Sequence, residues 1–169
     1  MPRGRAARDA AFTTFVEQAS PSLLRTAWLL TGDHHAAHDL VQAALVKTYV
    51  AWRRVTPETA LAYARRVLVN ERTDTWRRRH GEVAVADLPE QHGAPDPSGT
   101  TDDRDQVVRL LAGLPPQQRR VVVLRYYTDL SEQATAETLG ISLGAVKSAA
   151  HRGLAALRSQ LAAAEGGDR

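Results

Sequence analysis

The sequence contains no cysteine. That absence excludes a disulfide framework, a thiol nucleophile, and any zinc or iron–sulfur centre held by cysteines. Lysine is nearly absent too. Of 22 basic residues, only Lys47 and Lys147 are lysines. Arginine is the better partner for phosphate and for stacking on bases. No apolar run approaches the ~20 residues needed to cross a bilayer. The basic start, MPRGRAARDAAF, is followed by no apolar stretch of the kind a signal peptide carries. A cytoplasmic protein with no membrane association is expected. No convincing alternation of apolar and polar residues occurs, so strands are not expected either.

What is present is enough for a core. Of 169 residues, 43% are hydrophobic and 24% charged, with a net charge of only +3. The mild total conceals a bipolar chain. From Lys47 to Arg79, nine bases face three acids, a net of +6. Residues 81–104 hold six acids and one base, Arg104, a net of −5. Pro89, Pro95 and Pro97, with Gly81, Gly93 and Gly99, forbid long regular structure there. The stretch reads as a flexible acidic linker, able to span up to ~80 Å at about 3.3 Å per residue.

The flanking stretches have helical periodicity. Phe12, Phe15, Val16, Leu23, Leu24, Ala27 and Trp28 mark a first helix, with Ser20-Pro21 as a possible break. Thr31-Gly32-Asp33 is a stop and restart. Val41, Leu45 and Tyr49 form an i, i+4 ladder in the second helix, beside Leu40, Ala44, Thr48 and Trp52. A third helix runs from about Pro57 to Arg79. Beyond the linker, short helices are expected around Val107–Leu114, Gln117–Tyr127, Asp129–Leu139 and Leu143–Leu161. The expected fold is all-α, with helical domains at 1–80 and 105–162, a linker at 81–104 and a frayed tail at 163–169.

The most specific signal lies between Ser131 and Ser148. Ser131 is a good N-cap, with Glu132 at the positive end of the helix dipole. Ala136 sits four residues before Gly140, where a small side chain allows close helix crossing. Gly140 suits a left-handed C-cap, Ser142 caps the next helix, and Val146 returns to the core. This is the helix-turn-helix pattern, whose second helix enters the major groove. That helix offers Lys147, Ser148, His151 and Arg152 for bases or phosphates. A plain helical hairpin would not need all four signals at these spacings.

The first domain mixes arginines with aromatics. Seven of nine aromatics lie between Phe12 and Trp76, and Arg65, Arg72, Trp76 and Arg79 share one helical stripe. Cations beside rings suit unpaired nucleic acid, whereas Trp28 and Tyr49 read as core. His34, His35, His38 and Asp39 match metal-ligand spacing at one pair only. With no third anchored ligand and no HExxH pattern, no metal or other cofactor is expected.

Five motifs then identify a resemblance: LLTGDHHAAHDLVQ (29–42), YARRVLVN (63–70), TWRRR (75–79), LPPQQR (114–119) and VLRYYTDLS (123–131). Together they resemble the two domains of bacterial extracytoplasmic-function, or group 4, sigma-70 family sigma factors, especially an actinobacterial subgroup. The resemblance implies a non-enzymatic promoter-specificity subunit that binds core RNA polymerase, melts the −10 element and holds the −35 element. It implies polymerase binding, at the β′ clamp helices, by Asp39, Leu40, Gln42, Leu45 and Tyr49. It implies −10 recognition by Arg65, Arg66, Asn70, Arg72, Trp76, Arg77 and Arg78, with base capture by the loop from Arg54 to Leu61. It implies −35 recognition by Lys147, Ser148, His151 and Arg152, with Arg119 and Arg125 at or beside phosphate-contacting positions. Further implied partners are the β flap, promoter DNA and an anti-sigma factor, for a chain that is monomeric when free.

The sequence departs from the family pattern at three places. Asp39 is the only acid left of a Glu-Asp-Leu-Val-Gln-Glu pattern. Glu71 follows Asn70 on a face expected to approach DNA. Ala149-Ala150 leaves the recognition helix sparse in polar groups. The alternative reading is a stand-alone helix-turn-helix regulator, which would usually dimerise on a two-fold site. Two unlike domains and no obvious dimerisation helix weigh against it.

Overall fold

The computed structural model describes the backbone of residues 2–80 and 102–166 and the side chains of 4–72 and 104–164. The linker between His80 and Asp102, the side chains of Trp76, Arg77, Arg78 and Arg79, and the end of the tail lie outside the described residues. All regular structure among the described residues is helical: α1 (Pro2–Thr31), α2 (His34–Ala51), α3 (Pro57–His80), α4 (Asp102–Ala112), α5 (Pro116–Val122), a π-helical turn (Val123–Tyr127), α6 (Glu132–Leu139) and α7 (Leu143–Gly166). Among them no helix is long and apolar enough to cross a membrane.

The expected break at Ser20-Pro21 does not occur. α1 runs through Pro21 without interruption. Proline removes one helical hydrogen bond and crowds the preceding turn. Burial on both sides outweighs that: Ala19, Leu23, Ala27 and Leu30 are each at most 4% exposed. Gly32, at φ +71°, ends the helix, and its amide reaches the Trp28 carbonyl at 2.8 Å. Asp33 then caps α2, its carboxylate accepting from the Ala36 amide at 2.6 Å. The Trp28 and His34 rings stack across this corner at 4.7 Å.

α1, α2 and α3 pack as a three-helix unit around Leu23, Ala27, Val41, Ala44, Ala64 and Leu68. At the far end, Phe12 meets Tyr49 and Trp52 edge-on at 4.9 and 5.0 Å. The Tyr49 hydroxyl donates to Asp9 Oδ1 at 2.7 Å and accepts from Arg8 Nη2 at 3.1 Å, anchoring the first turns of α1 to α2.

In the second domain, α6 and α7 form the expected helix-turn-helix. Ser131 Oγ accepts from the Ala134 amide at 3.0 Å, and Ser142 Oγ from the Ala145 amide at 3.1 Å. Gly140 is left-handed at φ +65°, and Val146 is fully buried. Gly153 lets α7 cross α5 closely: a Cβ there would stand 2.8 Å from Val122 Cγ2. Gly153→Ala therefore costs overpacking of about 1–3 kcal/mol, offset in part by the ~1 kcal/mol helix preference of alanine. We expect a melting temperature several degrees lower, measured by circular dichroism, with the helical spectrum retained.

The two domains share one core. Leu111, Leu114, Val122, Val123 and Leu124 belong to the same buried cluster as Leu30, Leu40 and Leu68. α4 lies against α1, and α6 against α3. The domains are therefore packed together in this structure rather than merely linked.

Candidate polymerase and promoter interfaces

Three helical faces carry the residues singled out by sequence. On α2, Asp39 and Gln42 are exposed, as a polymerase contact requires. Leu40 and Leu45 are not: at 7% and 6% exposure they belong to the core between the helices. In this structure they face the neighbouring helices rather than solvent. Their i, i+4 companions Ala44 and Val41 point the same way, so the ladder marks the inward face. Tyr49 is half-buried, its hydroxyl held by Asp9 and Arg8. The outward stripe instead continues from Asp39 and Gln42 to Val46 and Val50, which are 63% and 80% exposed. These two valines fall off both apolar ladders of α2, a signal that was available in the sequence.

On α3, Arg66 and Asn70 stand exposed one turn apart. Arg65 turns away from them. It is half-buried and donates from Nη2 to Ser22 Oγ on α1 at 3.1 Å. Burial lowers its guanidinium from the ordinary arginine value. In this structure it ties α3 to α1. Arg72 is half-buried, and Trp76, Arg77 and Arg78 continue the helix beyond the described side chains. Glu71 does not oppose DNA. It is 7% exposed and forms an ion pair with Lys47 of α2. The carboxylate points inward between the two helices, which removes the electrostatic conflict with phosphates.

On α7, Lys147, Ser148, His151 and Arg152 are all exposed. The Lys147 ammonium lies 3.8 Å from the Glu132 carboxylate at the start of α6, which offsets part of its charge. Arg152 makes only a long contact, 3.4 Å from Nε to the Ser148 carbonyl. Ala149 and Ala150 are 1% and 8% exposed. They are the packing face of the recognition helix, so the missing polar groups are missing from the side that faces protein.

Arg119 is the largest departure. It is 2% exposed, among the most buried large side chains in the chain. Nε donates to the Leu111 carbonyl at 2.8 Å, Nη2 to Ala112 at 2.8 Å, and Nη1 to Leu30 at 3.1 Å. The guanidinium thus caps the C-termini of α4 and α1 together, where helix dipoles favour a cation. In this structure the Arg119 guanidinium faces backbone carbonyls rather than solvent. Arg125 is half-buried, donates to the Leu130 carbonyl and lies 5.7 Å from the Tyr126 ring centre. The π-helical turn places Tyr126 and Tyr127 beside it at 54% and 40% exposure.

Of the four His34–Asp39 candidates, His34 is occupied by its stack on Trp28. Among the described residues no group of three histidine or carboxylate side chains stands close enough to hold a metal ion. The chemistry on offer is recognition: exposed cations and amides on two helices, and an acid-and-valine stripe on a third.

Comparison with known proteins identifies the family. Two family models match the chain, sigma-70 region 2 over residues 15–82 and sigma-70 region 4 over residues 104–157. The chain is 42% identical over 154 residues to the RNA polymerase sigma-E factor of Streptomyces coelicolor, covering 90% of this chain and 86% of that one. It is 33% identical to the ECF RNA polymerase sigma factor SigL of Mycobacterium tuberculosis, covering 94% and 93%. The sigma factor RpoE of Bartonella quintana, solved in complex with the anti-sigma factor NepR, superposes with a TM-score of 0.70 at 26% identity, over 94% of this chain and 98% of that one. Region 2 and region 4, in this order and at this identity, show that the chain belongs to the sigma-70 family as an ECF sigma factor, a non-enzymatic subunit that directs promoter-specific transcription initiation by RNA polymerase.

Proposed function

We propose that the three exposed faces divide that work. The α2 stripe of Asp39, Gln42, Val46 and Val50 docks on core polymerase. Arg66 and Asn70 of α3, with the loop that holds Arg54, engage the −10 element as it unpairs. Extruding a base costs a few kcal/mol, which contacts in a pocket must offset. Lys147, Ser148, His151 and Arg152 of α7 enter the major groove of the −35 element. The separation of these residues onto three unshared faces carries the reading, since each surface can then be occupied at the same time.

An anti-sigma factor is the further proposed partner, as in the Bartonella complex. A cavity of about 660 Å³ opens where the domains meet, lined by Trp28 and Leu29 of the first and Val107, Leu110, Tyr126 and Leu157 of the second. Its apolar walls suit an apolar helix face. Action on cytoplasmic polymerase and DNA places the chain in the cytoplasm.

The test is transcription by core polymerase reconstituted with this chain on pooled genomic promoter fragments. Start sites sharing a −10 and a −35 element at one spacing are expected. Co-purification with polymerase but no such starts would reject the division of roles.

A further inference from the structure

We propose that a basic pocket beside the first turns of α1 binds a phosphodiester of the unpaired promoter strand, lengthening the −10 surface. The pocket encloses about 510 Å³ and is lined by Gly4, Arg5, Arg8, Trp52 and Arg53. Three of these residues precede position 15, where the sigma-70 region 2 match begins, and two lie within it. The inference rests on the reading of the α2–α3 loop as a −10 element. Trp52 and Arg53 lie in that loop, which follows Ala51.

The chemistry of the lining favours an anion. Three guanidiniums face a single carboxylate, Asp9, which lies 3.9 Å from Arg5 and 3.5 Å from Arg8 and also accepts from Tyr49. Arg8 is fixed by the Tyr49 hydroxyl and ring, 5.2 Å from its centre, and its Nε is paired with Asp9. Arg5 and Arg53 are exposed and able to reach. Guanidiniums only donate, so the pocket matches phosphate oxygens better than base edges, which need acceptors as well. Trp52 is held at the wall by Phe12 and Phe15, at 5.0 and 5.1 Å, and is half-buried. A ring beside cations is the combination that grips single strands. At Gly4, no described side chain stands within 4 Å of where a Cβ would be.

The experiment compares two fluorescent promoter forks bound by reconstituted holoenzyme. One ends at the −10 element and the other carries a single-stranded extension of its non-template strand. The variant is Arg5→Gln with Arg53→Gln, which leaves the Tyr49 anchor intact. Two lost single-strand phosphate contacts should weaken the extended fork roughly tenfold at moderate salt and reduce the log–log salt slope by about 1.4. The shorter fork and binding to core polymerase should be unchanged. Arg5→Lys with Arg53→Lys should recover the slope, because charge is what counts. An unchanged extended fork, or equal losses on both forks, overturns the inference. A wild-type holoenzyme that binds neither fork overturns the −10 reading as well, so the two failures are distinguishable.

Discussion

Arg119→Ala is expected to destabilise the second domain by about 3–5 kcal/mol, because it strands several buried carbonyls that now accept from a cation. The Ala112 and Leu30 carbonyls lose the donor that Arg119 supplies, and the Leu111 carbonyl keeps only its bond from the Leu114 amide at 3.0 Å. Because the second domain shares its core with the first, the loss falls on both. Urea titration followed by circular dichroism should show the unfolding midpoint of the helical signal shifted to lower urea. Arg119→Lys should recover only part of the loss, since one ammonium cannot reproduce a planar fork. A phosphate-contacting Arg119 would give the opposite pattern, unchanged melting with weaker DNA binding and a shallower salt slope. The Leu30 bond adds a second readout. Losing it should loosen the packing of the two domains and speed hydrogen exchange across the α1–α4 contact.

The helix-turn-helix was legible because every signal in it is local. Ser131, Ala136, Gly140, Ser142 and Val146 act on their own turn or the next. Each does what its chemistry dictates, from the Ser131 cap to the left-handed Gly140. Less legible was whatever depends on a distant partner. Nothing near Arg119 in sequence announces that Leu30, 89 residues earlier, will supply a carbonyl. Glu71 looked misplaced until Lys47 was seen across the helix pair. Arg65 left its stripe for Ser22, 43 residues away. Leu40 and Leu45 show a different limit. A resemblance transfers a whole helix to a role, whereas only its outward face can touch a partner. Pro21 shows the converse, a local rule overridden by burial on both sides of it. The packing of both domains into one core is likewise invisible to periodicity, which says that a face is apolar but not what covers it.

Asp39→Arg and Arg152→Ala should separate the two halves of the function. Both side chains are exposed, so each change should move stability by less than about 0.5 kcal/mol. Asp39→Arg reverses the one charge of the proposed polymerase stripe, at its N-terminal end, and like-charge juxtaposition across an interface costs several kcal/mol. Binding to core polymerase should fall by about 100-fold or more, on the scale of 1.4 kcal/mol per tenfold. Arg152→Ala should leave that affinity alone. Of the two strong cations on the outer face of α7, Arg152 is the better choice, because Lys147 is partly neutralised by Glu132. A lost bidentate contact to guanine costs about 1–3 kcal/mol, or roughly 5- to 150-fold, and relaxes preference at one base pair. A lost phosphate contact would instead weaken all sequences alike and reduce the salt slope by about 0.9. Core binding measured by fluorescence anisotropy, and holoenzyme binding to −35 variants, distinguish these outcomes. The residues lie on different domains and share no described partner, so their free-energy costs should add within about 0.5 kcal/mol in the double variant. Marked non-additivity, or loss of core binding in Arg152→Ala, would mean that the α2 and α7 faces act as one surface and that the division of labour is wrong.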